Sequence, residues 1–307
     1  MKAIQLGMKR KIVKQGNSAL TITLPSTWAK KFELEAGDEV EVEEQGDSII
    51  IKTKETTKGK KAYIDVRGLD IMIYRVLGAL YKTGYDELEI HFETSDEFEA
   101  VQEVIRQEFI GFEVVDHQKN ILRAKRISKI EHEEFETLLR RMFMIIKLMG
   151  EDTLEAIKKN DQNQLKIIAL RDKDINKIAD YCRRILNLNG QAITNKIGPL
   201  YFIVEQLEKI GDLYRDICLY CIDKKIKSDK EIEQSFFEIN EFFASFYSLF
   251  FKFDLNAIVD FGKKRYLLRA KIKDKIENTK ETRFFSYFNQ LLESVFDMNG
   301  PLMTLKL

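Results

Sequence analysis

The chain lacks a net charge, a long uncharged apolar run and any dense set of cysteines or histidines, and each absence removes a class of function. Lys plus Arg and Asp plus Glu number 50 each over 307 residues. No global field therefore draws the protein to nucleic acid or anionic lipid, and any such binding has to come from a local patch. The most apolar segment, Phe236 to Phe253, is rich in Phe but is broken by Glu238, Glu241 and Lys252. A membrane helix needs about 18 or more residues with few or no charges, so none is predicted. Cysteine occurs only at Cys182, Cys218 and Cys221, and the opening residues are polar and basic rather than apolar; both features predict a cytoplasmic protein in a reducing setting. Cys218 and Cys221 share a face of a predicted helix, and with no second Cys or His pair to complete a zinc site they read as packing residues. His91, His117 and His132 stand apart, no Ser-His-Asp or Cys-His set has motif support, and no Gly-rich phosphate loop occurs. No catalytic apparatus is legible, and the expectation is a non-enzyme.

What is present is a change of texture along the chain. With 44% hydrophobic and 33% charged residues, the chain is long enough for two or three cores and too apolar for disorder. Charge is sharply partitioned at the start: Lys2, Lys9, Arg10, Lys11 and Lys14 precede any acid, whereas Glu33 to Asp47 is acidic without a base. From Arg10 to Lys54 the pattern is β-β-α-β-β. Lys11 to Lys14 and the alternating Leu20 to Leu24 flank a Gly16-Asn17-Ser18 turn, and Pro25 opens a short helix that Ser26 or Thr27 could cap. Glu39 to Glu44 and Ser48 to Thr53 then flank a Gly46-Asp47 hairpin turn. About 50 residues of this kind cannot close a core alone, which predicts that the module borrows a second copy.

A lysine- and threonine-rich linker, Thr53 to Lys61, leads to a compact α/β stretch. There the spacing predicts strands over 62–66, 88–92, 112–115 and 121–126 and helices over 70–82 and 95–109. Ser128-Lys-Ile-Glu131 has capping-box form and starts a long helical region with few breakers, and Ser228-Asp-Lys-Glu231 repeats the signal. Each box precedes three predicted helices, over 129–158, 162–188 and 199–224 and then 231–252, 255–280 and 283–298, a tandem repeat of three-helix units. The Phe-rich helix at 236–253 reads as core through Phe236, Phe243, Phe246 and Phe250, with the surplus at Phe237, Phe242 and Phe251 open to an interface role. The predicted architecture is multidomain α+β: residues 1–56 a β-hairpin module, 57–128 an α/β connecting domain, and 129–307 an all-α domain.

Two resemblances attach to these segments. The run Val13-Lys-Gln-Gly-Asn-Ser-Ala-Leu-Thr-Ile-Thr-Leu-Pro25, with Trp28-Ala-Lys-Lys31 and Gly37-Asp-Glu-Val-Glu-Val42, resembles the AbrB/MazE (SpoVT-AbrB) swapped-hairpin family. The resemblance implies an intertwined homodimer whose paired hairpins bind DNA, with Lys9, Arg10, Lys11, Lys14, Asn17 and Ser18 at the contact positions. The chemistry of these residues agrees, because Lys and Arg neutralise phosphates while Asn and Ser reach phosphates or base edges from a turn. Solubilising lysines on an edge strand are the bland alternative. Members that act as antitoxins hold a toxin with a short disordered tail; here some 250 further residues follow, so that role is set aside.

The segment Tyr201-Phe-Ile-Val-Glu-Gln-Leu-Glu208-Lys-Ile-Gly211-Asp212 resembles the Glu-x-x-Gly-Asp signature of PhoU helical domains, and Glu293-Ser-Val-Phe-Asp297 is its counterpart in the second half. At a spacing of four residues each pair projects from one helix face. If the two helices met, Glu208, Asp212, Glu293 and Asp297 would offer oxygens to a hard cation. The resemblance implies clusters of divalent or ferric metal, although the preceding helix offers only Asn176 and Asp180 at the spacing, the second half shows Lys273-Asp274-Lys275 instead, and Phe296 replaces the glycine. Charged pairs on a solvated helix face are the alternative. Gly211 in a helix interior, costing roughly 0.5–1 kcal/mol with no local reason, favours the metal reading. The layout as a whole is similar to archaeal-type phosphate uptake regulators. It implies a dimeric DNA-binding transcriptional regulator of phosphate homeostasis with a metal-binding sensor domain. The alternative is an adaptor that does not bind DNA and regulates a phosphate transporter or sensor kinase by protein contact.

Overall fold

The computed structural model describes residues 9–16, 19–45, 48–53, 59–128, 134–226, 228–279 and 281–307. The chain divides into two units, Met1–Gly59 and Lys60–Leu307. The first has the expected β-β-α-β-β order: β1 (Val13–Gln15), β2 (Ala19–Thr21), α1 (Ser26–Lys31), β3 (Val40–Gln45) and β4 (Ser48–Thr53). Two separate antiparallel hairpins result, β1 with β2 and β3 with β4, the second in register from Val40 opposite Thr53 to Gln45 opposite Ser48. Pro25 itself is the N-cap of α1 and no side chain caps it, so Ser26 and Thr27 are first-turn residues rather than the expected caps. The Gly46-Asp47 turn and residues 54–58 of the linker lie outside the described residues.

The second unit begins with the α/β stretch, whose order follows the sequence pattern closely: β5 (Lys61–Asp65), α2 (Met72–Thr83), β6 (Glu87–His91), α3 (Ser95–Glu108), β7 (Phe112–Gln118) and β8 (Ile121–Arg126). The sheet order is β5-β6-β8-β7, with β5 and β6 parallel and the remaining pairs antiparallel. Alternation on the strands buries Ala62, Leu88, Ile90, Leu122 and Ala124, while Glu89 and Arg123 pair at 2.8 Å on the opposite face. Thr94 and Glu97 form a reciprocal capping box at the start of α3.

Helices fill the rest: α4 (Glu134–Lys159), α5 (Gln162–Leu170), α6 (Asp172–Ile193), α7 (Ile197–Lys224), α8 (Lys230–Phe251), α9 (Leu255–Asn278), α10 (Thr282–Asp297) and α11 (Asn299–Lys306). Two boundaries differ from expectation. The predicted 162–188 helix is broken at Arg171, which ends α5 and begins α6, and a last short helix, α11, follows α10. At the head of α8 the cap is Asp229, which accepts from the Ile232 N–H at 2.8 Å, while Ser228 bonds Glu233. The box is therefore displaced by one residue. The first box, Ser128 to Glu131, lies largely outside the described residues.

The core of the helical part runs along α7, which touches α4, α5, α6, α10 and α11. Phe236, Phe243, Phe246 and Phe250 are buried as expected. Phe242 is buried too, stacked on Phe261 of α9 at 4.3 Å, which removes it from the interface candidates. Phe251 carries the Arg140 guanidinium 3.7 Å above its ring. All three cysteines are buried and unpaired. Burial pushes the Cys182 and Cys221 thiols up to about 12 and the Cys218 thiol to about 11, so they behave as small apolar groups.

The α/β stretch is locked to the helices by a buried arginine. Arg184 of α6 is fully buried and donates to the Tyr81 carbonyl at 2.6 Å and to Asp86 at 3.0 Å. Asp86 also receives Arg126 at 2.6 Å and the Lys60 N–H at 3.1 Å. Close approach of α2 and α6 is possible because Gly84, at φ +97°, has no Cβ; one would lie 2.4 Å from Leu188.

Candidate nucleic-acid interface and carboxylate cleft

No described residue of the first unit is buried. On the β3–β4 hairpin, Val42 opposes Ile51 and Glu44 opposes Ile49. Cross-strand partners point to the same side, so Val42, Ile49 and Ile51 form one apolar face. Val42 and Ile49 remain 59% and 66% exposed, and Ile12, Val13, Leu20 and Ile22 of the first hairpin region are likewise exposed. A two-stranded hairpin with an uncovered apolar face is marginal in water. The basic residues sit on the first hairpin and the strand leading to it: Lys9, Arg10, Lys11 and Lys14 are all exposed, and Lys14 lies opposite Leu20 across the ladder. Gly16 turns the chain at φ +66°, a conformation that suits glycine. Asn17 and Ser18 lie outside the described residues.

The second unit holds the carboxylates. A cleft of about 390 Å³ opens between α2 and α3 on one side and α6 and α7 on the other, and Glu208 and Asp212 line it with Lys82, Glu108, Asp180 and Arg215. Arg183 of α6 lies behind them with its side chain only 4% exposed. It reaches Asp180 at 2.5 Å, Glu205 at 2.5 Å and Glu208 in a short contact. Arg215 similarly gathers Asp172 at 2.7 Å, Asp216 at 2.9 Å and Asp212 in a second short contact. Lys82 of α2 adds a 3.1 Å pair to Asp180. Burial pushes the Glu208 carboxyl up by more than Arg183 pulls it down. Arg183 is pulled down by burial but raised more by Glu208, Glu205 and Asp180. Both directions follow from one cation facing three acids in a desolvated place.

The second pair lies elsewhere. Glu293 of α10 receives Arg265 of α9 at 2.5 Å and Arg269 at 3.4 Å, while Asp297 is exposed. Glu208, Asp212, Glu293 and Asp297 do not form a common cluster, and among the described residues no three His, Cys, Asp or Glu side chains converge to hold an ion. Divalent ions need several oxygens around one point, at about 2.0–2.6 Å; here three of the four carboxylates already close on guanidinium groups. The residues present do not fit a metal cluster. The glycine also has a different reason: a Cβ on Gly211 would lie 2.7 Å from Ile175 of α6, so it permits α6 and α7 to close up. In the second half its counterpart Phe296 stacks under the Arg265 guanidinium at 4.6 Å. Arg183, Arg215 and Arg265 are the residues that sequence reasoning missed; the available signal was an arginine three residues after Asp180 and another three after Asp212, each on the face of its acid.

Among the described residues no helix is long and apolar enough to cross a membrane. A family profile described as "Antidote-toxin recognition MazE, bacterial antitoxin" matches residues 13–59, and the PhoU domain profile matches residues 139–221. The first coincides with the two hairpins and α1, the second with the stretch from α4 into α7. No curated protein matches the chain, and no solved structure does. Neither matched family is an enzyme family. The chain is thus similar to a MazE-type antitoxin domain over residues 13–59 and to a PhoU domain over residues 139–221, the two joined in one polypeptide.

Proposed function

We propose that this protein is a homodimeric, DNA-binding transcriptional regulator of phosphate uptake acting in the cytoplasm. The observation that carries the reading is the first unit: an uncovered apolar hairpin face beside exposed Lys9, Arg10, Lys11 and Lys14. A second copy covers the apolar face, and pairing doubles the cations that can neutralise phosphates. The PhoU-like domain supplies the link to phosphate homeostasis. Within the second unit, Asp86 joins the Arg184 side chain of α6 to the backbone of Lys60.

Gel-shift titration with fragments upstream of phosphate-transport genes tests this reading. Wild type is expected to bind, and Lys14→Ala with Asn17→Ala to bind more weakly; equal binding overturns the site assignment. The adaptor reading draws on α9, where Leu255, Val259, Tyr266 and Leu267 are exposed at 55–73%, an apolar face suited to a protein partner. Co-purification with a phosphate transporter or a sensor kinase, in the absence of any DNA affinity, favours it instead.

A further inference from the structure

We propose that in both halves of the helical domain an arginine of the second long helix, buried at Arg183 and half-buried at Arg265, serves as a built-in cation for the carboxylate of the third, so that these helices assemble without a metal ion. The same relation occurs twice. Arg183 of α6 closes on Glu208 of α7, and Arg265 of α9 closes on Glu293 of α10. The surroundings differ, which argues against a chance pair: the first arginine is ringed by Asp180, Glu205 and Glu208, whereas the second stacks on Phe296. What the halves share is the guanidinium on the glutamate.

Position and burial make the substitution effective. Arg183 and Arg265 have side chains 4% and 18% exposed, so an incoming ion would have to displace a guanidinium that cannot swing into water without opening the packed helices. A guanidinium offers five donors in a fixed plane and stays charged at any physiological pH, which suits three carboxylates arriving from different directions. A covalently attached cation also costs no binding from solution and does not vary with metal supply. Around the cleft, Arg183, Arg215 and Lys82 face Asp172, Asp180, Glu205, Glu208, Asp212 and Asp216. Carboxylates exceed cations, so removing Arg183 leaves a strongly acidic hollow of the kind a hard divalent ion occupies. It follows that signalling by this domain does not run through metal loading at these glutamates.

The test uses the full chain purified without chelators. Wild type is expected to carry bound metal well below one equivalent, and to melt at the same temperature with EDTA or with millimolar Mn²⁺. Arg183→Met is expected to melt lower by roughly 5–10 °C and to regain about half of that loss in millimolar Mn²⁺ by ligand linkage. Should Arg183→Met not fold, the metal content of wild type and the response of its melting temperature to EDTA still decide the proposal. Stoichiometric metal in wild type, or a fall in its melting temperature with EDTA, overturns the proposal. So does a folded variant whose lost stability Mn²⁺ leaves unchanged, because the arginine is then an ordinary ion pair rather than a stand-in for a cation.

Discussion

Replacing Val42 and Ile49 together by aspartate should separate the two copies of the chain while leaving Lys60–Leu307 folded. Both residues lie on one face of the β3–β4 hairpin and are 59% and 66% exposed in a single copy. Full burial of a Val or Ile side chain stabilises by about 1.5–3 kcal/mol. With well over half of each surface still uncovered, about 1–2 kcal/mol per residue remains to be gained from a partner. The two positions occur in both chains, so pairing gains roughly 4–8 kcal/mol from them, or about three to six decades in the dimer dissociation constant. Aspartate forfeits that gain and adds the cost of burying charge. Sedimentation velocity across nanomolar to micromolar concentration reads the shift, and circular dichroism confirms that the helices survive. If the double variant dimerises as tightly as wild type, the apolar face is not the one that a second copy covers, and the swapped-hairpin account of the first unit is refuted.

Three further outcomes follow from the second unit. Gly211→Ala should destabilise by about 1–3 kcal/mol despite alanine's better helix propensity, because its Cβ meets Ile175 at 2.7 Å. Ile175→Val in the same chain should recover part of the loss in a urea titration, and an unchanged double-mutant sum contradicts the close-approach explanation. Asp86→Ala removes the partner of the fully buried Arg184 and should cost about 3–5 kcal/mol, read as a lower melting temperature; a loss within experimental error would mean that Arg184 finds another anion. The carboxyl of Glu108 is pushed up from 4.5 by burial and by Asp180, against the pull of Lys173 and Lys177. The folded chain therefore binds this proton more tightly than the unfolded one, and stability falls as pH rises from the unfolded value through the folded one. Glu108→Gln should lack that fall and be the more stable protein at pH 8, with the advantage vanishing below about pH 4; parallel stability curves for the two proteins refute it.

The parts legible in the sequence were those with a local signature. Alternation placed every strand of the α/β stretch within a few residues, because one buried face imposes period two on residues such as Leu88 and Ile90. The break at Arg171 was invisible, since Leu170-Arg171-Asp172 holds neither Gly nor Pro and the interruption depends on Asp172 turning inward to Arg215 from another helix. Gly211 was conspicuous but misread, because its cause is Ile175, 36 positions away. The arginine partners were hidden for a related reason: Glu208 and Glu293 were visible at their spacing, whereas Arg183 and Arg265, at separations of 25 and 28 residues, look like ordinary solvated helix arginines until the helices are packed. Asp229 replaced Ser228 as cap because either side chain can accept the N–H and only the backbone angle at the helix start decides.

The most direct measurement of the central claim is the dependence of DNA affinity on salt for the full-length protein and for a variant with Lys9, Arg10, Lys11 and Lys14 all changed to alanine. Each phosphate contact contributes about 0.9 to the slope of log affinity against log salt. The account predicts a steep slope for wild type and loss of several units of it in the variant, with the dimer intact. A wild-type affinity that hardly changes with salt, or a slope that the four substitutions leave in place, would mean that this basic hairpin does not meet DNA.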